Sequence, residues 1–248
     1  MEFIETGKNN REVILLLHGG GLSYWNYRDE AELLQDEYHV IMPILDGHQG
    51  SDRHFSSIED NALEIIEFID GNYEGKVTLM AGLSLGGQIL LEILSKRNDI
   101  CEYAVIESAS VIPSKLTEAL IKPSMDLSFN LISNRSFARA QFKNLRIRED
   151  LFEDYYHDTS SINKEDLIAF TRASLSYTLK KELSFSNTKA HIYVGSREKS
   201  MMIRSAGLIN EAIPSSTLNI LPDLYHGQFS LNRPKQYADT VRRIIENG

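Results

Sequence analysis

An α/β fold, with a mainly parallel sheet covered by helices on both faces, is predicted for this 248-residue chain by three observations. Short runs rich in Val, Ile, Leu and Tyr alternate with segments whose apolar residues recur at helical spacing. The runs are predominantly apolar, and read as strands buried on both sides. One connection is far longer than the rest. The strand-like runs are Val13 to Leu17, His39 to Ile44, Val77 to Ala81, Tyr103 to Ile106, His191 to Val194 and Thr217 to Leu221. Helical spacing links Ile58, Ala62, Ile65, Ile66 and Ile69, then Ile89, Leu90, Ile93 and Leu94, and finally Tyr237, Val241, Ile244 and Ile245.

The long connection, from Ile106 to His191, holds roughly 80 residues where one crossover helix needs far fewer. Pro113 and Pro123 punctuate its start, and helices are predicted over Phe129 to Phe142, Leu151 to Tyr156 and Lys164 to Leu179. The expected organisation is a core of residues 1–112 and 187–248, with a helical cap inserted at 113–186 above the C-terminal edge of the sheet.

Bulk properties narrow the function. With 42% hydrophobic and 25% charged residues the chain has an ordinary globular composition, and no apolar stretch has the length of a membrane span. The start Met1-Glu2-Phe3-Ile4-Glu5 is acidic where a secretory signal is basic, so the cytoplasm is the expected location. A single cysteine, Cys101, can form no internal disulfide and supplies no metal cluster. The net charge of -9 argues against a nucleic-acid partner, because phosphate binding needs a concentrated basic face. Residues 113–188 are nearly charge-balanced, so the acidity belongs to the remainder. Within that segment Arg135, Arg139 and Lys143 follow i, i+4 spacing, with Arg146 and Arg148 nearby. Such a cluster is either a solvated helix face or a lure for an anionic substrate group.

The chemistry begins at Gly82-Leu83-Ser84-Leu85-Gly86, which follows the apolar run Lys76 to Ala81 and leads into a helix. A serine between glycines fits a tight strand-to-helix turn whose strained backbone lifts Oγ above the sheet, which makes Ser84 a candidate nucleophile. Acyl transfer also needs a base, an acid that orients it, and donors for the oxyanion. His226 lies after the last strand-like run and before the last helix, where a loop can bring an imidazole over the sheet edge. The orienting carboxylate should fall between the two in chain order and just after a strand. Glu198, in Val194-Gly195-Ser196-Arg197-Glu198, fits, and Glu107 and Asp223 are its rivals. Oxyanion donors are expected from the N–H of Leu85 and from the glycine-rich turn His18-Gly19-Gly20-Gly21. In that turn Gly20 is preferred, with Gly21 and Leu22 as alternatives.

These residues resemble the α/β-hydrolase superfamily over nearly the whole chain. His18-Gly19-Gly20-Gly21 looks like its HG oxyanion turn, Gly82 to Gly87 looks like its nucleophile elbow, and His226 precedes the last helix as its catalytic histidine does. Asp46-Gly47-His48-Gln49-Gly50-Ser51 is similar to the D-x-x-G-H-G-x-S turn of capped members such as bacterial carboxylesterases and monoglyceride-lipase-like enzymes. That turn is structural in the family, so neither His48 nor His18 is expected to be catalytic. Two features depart from the pattern: the family usually has Asp where Glu198 stands, and Tyr225 replaces the glycine before the histidine.

The resemblance implies an α/β-hydrolase fold and a serine esterase acting on small or medium carboxylic esters, without metal or organic cofactor. Thioesterase, carbon–carbon bond hydrolase and related acyl-transfer chemistry suit the same residues, and a non-catalytic small-molecule-binding protein is the reading of another class. Phe129, Phe137, Phe142, Tyr155, Tyr156 and Met125 of the cap, with Tyr24 and Trp25 after the oxyanion turn, are candidates to line the substrate pocket.

Overall fold

The computed structural model describes residues 1–247, the side chains of 115, 116, 119, 127 and 128 excepted. Seven strands are formed among the described residues: β1 (Glu2–Thr6), β2 (Val13–Leu17), β3 (His39–Ile44), β4 (Val77–Leu83), β5 (Cys101–Glu107), β6 (Lys189–Gly195) and β7 (Ser216–Leu221). They make one sheet in the order β1-β3-β2-β4-β5-β6-β7, parallel except where β1 runs antiparallel to β3. Each run read from the sequence is a strand. Only β1 has no counterpart in that reading, because Phe3 and Ile4 alone give it an apolar signal and it lies half-exposed at the sheet edge.

Burial on both faces explains the apolar runs. Along β2, Val13, Leu15 and Leu17 join one core cluster while Ile14 and Leu16 join the other, the period of two that a strand imposes. The ten α-helices among the described residues are α1 (Arg28–Leu34), α2 (Ile58–Asn72), α3 (Leu85–Lys96), α4 (Lys115–Ile132), α5 (Arg135–Leu145), α6 (Phe152–Ser161), α7 (Lys164–Ser176), α8 (Ser200–Ala212), α9 (Gln228–Asn232) and α10 (Pro234–Asn247). Ile65 of α2, Ile89 of α3 and Ile209 of α8 cover one face, and Leu34 of α1 with Val241 of α10 cover the other. Helix α2 begins where its sequence signals a start: the Ser57 hydroxyl accepts the Asp60 N–H at 2.9 Å, a cap worth about 1 kcal/mol.

Four helices, α4 to α7, fill the long connection between β5 and β6. The helix read as Phe129 to Phe142 is divided. Its break falls at Ser133 and Asn134, where the Asn134 side chain accepts the N–H groups of Ser136 and Phe137 and starts a new helix. Pro123 lies within α4 instead of before it, and α7 stops at Ser176. Three of them reach the core clusters, Phe170 of α7 packing with α2 and α3, and Phe142 of α5 and Phe152 of α6 packing on the side of α1 and α10, while α4 packs on α7 and α5. No helix among the described residues is long and apolar enough to cross a membrane.

Strand order also locates a crevice. From β2 the chain moves outward to β3, and from β4 it moves the opposite way to β5, while β2 and β4 are neighbours with Leu17 opposite Gly82. Connections that leave adjacent strand ends in opposite directions open a cleft at their C-terminal edge, where ligands of open α/β sheets bind.

Candidate active site

Ser84 sits in that cleft. Its backbone is in the left-handed region, φ 52° and ψ -109°, between the end of β4 and the start of α3. A side chain is rarely held there without compensation, and the two flanking glycines show how the turn is held. A methyl group at position 86 would lie 2.2 Å from the Leu17 carbonyl oxygen, and one at position 82 would lie 2.4 Å from that of Gly86. Backbone therefore packs directly on backbone around Ser84, whose own N–H donates to the Glu107 carbonyl at 2.9 Å.

His226 reaches the same cavity from the loop between β7 and α9. Its Nδ1 lies 2.9 Å from Glu198 Oε2, and Glu198 Oε1 accepts both the Ser108 hydroxyl at 2.7 Å and the Gly195 N–H at 2.8 Å. Burial pushes the Glu198 carboxyl upward, but the His226 imidazole and these hydrogen bonds outweigh it and hold the group below the usual carboxylate range. The Glu198 side chain is fully buried while that of His226 is 49% exposed, so the anion is shielded and the imidazole is accessible. The two rival carboxylates stand elsewhere. Glu107 accepts the N–H groups of Phe229 at 3.1 Å and Ser230 at 3.2 Å, and Asp223 is paired at the surface with Arg197 at 2.9 Å.

The glycine-rich turn is fixed by neutral histidines. The Gly21 N–H donates to His48 Nε2 and the Leu45 N–H donates to His18 Nε2, both at 3.0 Å. Each ring must therefore carry its proton on Nδ1, which donates to the carbonyl of Asp46 from His48 and of Gly19 from His18. Burial lowers His48 to about 4 and drives His18 well below its ordinary value, with His48 adding to the second shift. The Gly19 N–H is taken by Asn26 and that of Leu22 by Gly19 O. Among the described residues this leaves the Gly20 N–H without an acceptor in the turn. Leu85, as the first residue of α3, likewise has no carbonyl one turn behind it.

The cleft opens into a cavity of about 330 Å³ whose walls include Leu22, Ile132, Leu145, Ile147, Leu167 and Phe170 together with Ser84 and His226. No Lys, Arg, Asp or Glu side chain lines it among the described residues. Met125 and Tyr155 contribute to the walls; Tyr24, Trp25, Phe129, Phe137 and Phe142 do not. Trp25 is buried with its indole N–H on Asp158 at 2.6 Å, and Phe142 packs at 5.3 Å from both Phe152 and Tyr155. Tyr24, Phe129 and Phe137 are half-buried. Tyr156 stacks on Phe152.

The basic cluster is largely consumed in structure. Arg135 pairs with Glu153, Arg139 with Glu149 and Arg148 with Asp29, while Arg146 lies 4.1 Å over the Tyr225 ring. The last contact ties the His226 loop to the end of α5, assisted by Gln228, which accepts the Tyr225 N–H and donates to the Arg146 carbonyl. Sequence reasoning missed Ser108, Asn26 and, apart from Tyr155, the α6–α7 wall of the cavity. Ser108 acts on Glu198, 90 residues away, and Asn26 on the Gly19 N–H, 7 residues away, and no local pattern marks either.

An arrangement of strained serine, accessible imidazole, shielded carboxylate and two unengaged N–H groups can perform covalent acyl transfer. Residues 14–240 match the model of the alpha/beta hydrolase family, and the chain belongs to that family. It is similar in fold to a thermophilic esterase from Thermogutta terrifontis, with a TM-score of 0.80 at 18% identity, covering 99% of this chain and 93% of that one. The enol-lactonase from Burkholderia xenovorans LB400 is similar with a TM-score of 0.80 at 15% identity, covering 99% and 96% of the two chains. Among curated proteins, "Probable alcohol acetyltransferase" of Cyberlindnera fabianii is 28% identical over 116 residues, which is 45% of this chain and 31% of that protein.

Proposed function

We propose that this hydrolase-family protein is a serine esterase that cleaves small to medium carboxylic esters through an acyl-enzyme on Ser84, with residues 113–186 acting as a helical cap over the site. The carrying observation is that His226, whose Nδ1 is held by Glu198, lines the same largely apolar cavity as Ser84. With Nδ1 held by Glu198, His226 has Nε2 left to take the Ser84 proton as Oγ attacks the ester carbonyl. The tetrahedral oxyanion would rest on the N–H groups of Gly20 and Leu85, each such donor contributing about 3–4 kcal/mol to the transition state. The imidazolium, stabilised by Glu198, then protonates the departing alcohol. Water repeats the sequence, losing a proton to His226 as it attacks the acyl carbon, and frees the acid and Ser84.

The uncharged walls favour a neutral acyl group over an anionic one, and the paired arginines remove the main argument for a phosphate-bearing substrate. The test is a panel of p-nitrophenyl esters of increasing acyl length. Each added methylene is expected to raise kcat/KM by up to about fourfold, the worth of about 0.8 kcal/mol of burial, until the cavity is full and the rate falls. A response independent of length, or no hydrolysis at all, contradicts the reading. A second reading, acyl transfer to an alcohol, is supported by the partial similarity to the acetyltransferase. It uses the same acyl-enzyme, and formation of a new ester when a primary alcohol is added to the assay distinguishes it.

A further inference from the structure

Glu107 is buried, belongs to no step described above, and yet is bonded to Ser84 and to α9 through its own atoms and to Glu198 through its neighbour. Its carbonyl accepts the Ser84 N–H at 2.9 Å, its carboxylate accepts the N–H groups of Phe229 and Ser230 in α9, and the adjacent Ser108 donates to Glu198. Helix α9 begins two residues after His226, with only Gly227 between them, and Gly227 is in the left-handed region at φ 70°. What holds the start of α9 therefore joins Glu198 and the Tyr225–Arg146 contact in setting where the imidazole stands. A five-residue helix has little internal cohesion, so an external anchor matters more than it would in a long one.

The anchor is charge-dependent. An ionised carboxylate offers both oxygens to Phe229 and Ser230, and hydrogen bonds to an ionised acceptor are roughly twice as strong as those between neutral groups. A protonated carboxyl must keep its proton on one oxygen. The groups facing Glu107 are His226, Ser230 of α9, Tyr27 from the turn at Tyr24–Tyr27, Glu30 of α1 and Tyr237 of α10, with Arg148 acting on Glu30. Burial dominates: it pushes Glu107 up to about 7 against the opposing hydrogen bonds of Ser230 and Phe229 and the charge of His226. Glu30, also buried, is driven well above its ordinary value.

We propose that Glu107 is a positioning residue whose ionised carboxylate anchors the start of α9 and thereby sets His226 over Ser84, so that turnover requires Glu107 ionised as well as His226 neutral. The proposal rests on the serine-esterase reading. It is tested by kcat/KM of the full chain on a p-nitrophenyl ester from pH 5 to 9, for wild type, Glu107→Gln and Ser84→Ala. Two ionisations should make the wild-type acid limb approach about a hundredfold fall per pH unit, and the Gln variant should fall only about tenfold per unit. At pH 8 the Gln variant should lose about ten- to fiftyfold in kcat with KM within about twofold, the pattern of an interaction that serves the transition state. A one-proton limb in wild type, or wild-type kcat in the Gln variant, overturns the proposal. Should Glu107→Gln fail to fold, the steepness of the wild-type limb still decides. An inert Ser84→Ala with a one-proton wild-type limb removes the positioning role alone, whereas an active Ser84→Ala removes the esterase reading beneath it.

Discussion

Replacing Ser84 by alanine is expected to lower the proposed ester turnover by about four to six orders of magnitude, the loss that follows when a triad nucleophile is removed. The size follows from what remains. The Gly20 and Leu85 N–H groups and the cavity would still bind and polarise the ester, but no oxygen is placed to form the acyl-enzyme, so only direct attack by water survives. The fold should tolerate the change, because Ser84 is partly exposed and its N–H, not its hydroxyl, makes the bond to Glu107. Alanine must still accept φ 52°, so stability is expected to fall slightly while the activity loss is large. Removing His226 as well should add little, since nucleophile and base act as one unit. Thermal unfolding measured beside kcat checks the separation, and a loss below tenfold would count against Ser84 as the nucleophile.

The second large effect is at Glu198. Alanine there is expected to reduce kcat by about three to four orders of magnitude, less than loss of the nucleophile, because the imidazole remains but its tautomer and orientation are no longer imposed. The geometry argues for a substantial loss: the carboxylate is fully buried, and its three partners, His226, Gly195 and Ser108, would lose their acceptor together. Glutamate in a position usually taken by aspartate extends the side chain by one methylene. Here Ser108 and the Gly195 N–H hold Oε1, so the longer side chain still presents Oε2 to His226 at 2.9 Å. Measured kcat near the wild-type value would transfer the orienting role elsewhere, Glu107 being the next carboxylate along the sheet edge.

Much of this was legible in the sequence, and the reasons are local. Strands buried on both faces carry their signal in their own residues, as Ile14 to Leu17 do, and Gly82, Ser84 and Gly86 mark a turn that only small neighbours permit. The edge strand β1 and the break at Asn134 were not legible, because one is half-exposed and the other depends on a single capping side chain. The pocket walls were the least accessible. Phe129, Phe137 and Phe142 carry no mark that separates a side chain facing a cavity from one packed between helices, and it is the pairing of α4 with α7 and of α5 with α6 that decides. The choice among Glu198, Glu107 and Asp223 likewise turned on which carboxylate the folded chain brings to Nδ1. The basic cluster illustrates the converse: its spacing was plain, but its acidic partners Glu149, Glu153 and Asp29 became visible only in three dimensions.

The most direct measurement is to treat the purified protein with a fluorophosphonate and map the adduct by mass spectrometry. A phosphonyl group on Ser84, formed rapidly in wild type and at least about a hundredfold more slowly in His226→Ala, is the expected result, since the probe reports a serine oxygen activated by a neighbouring base. Modification of a different residue, or no modification while a p-nitrophenyl ester is still hydrolysed, would contradict it.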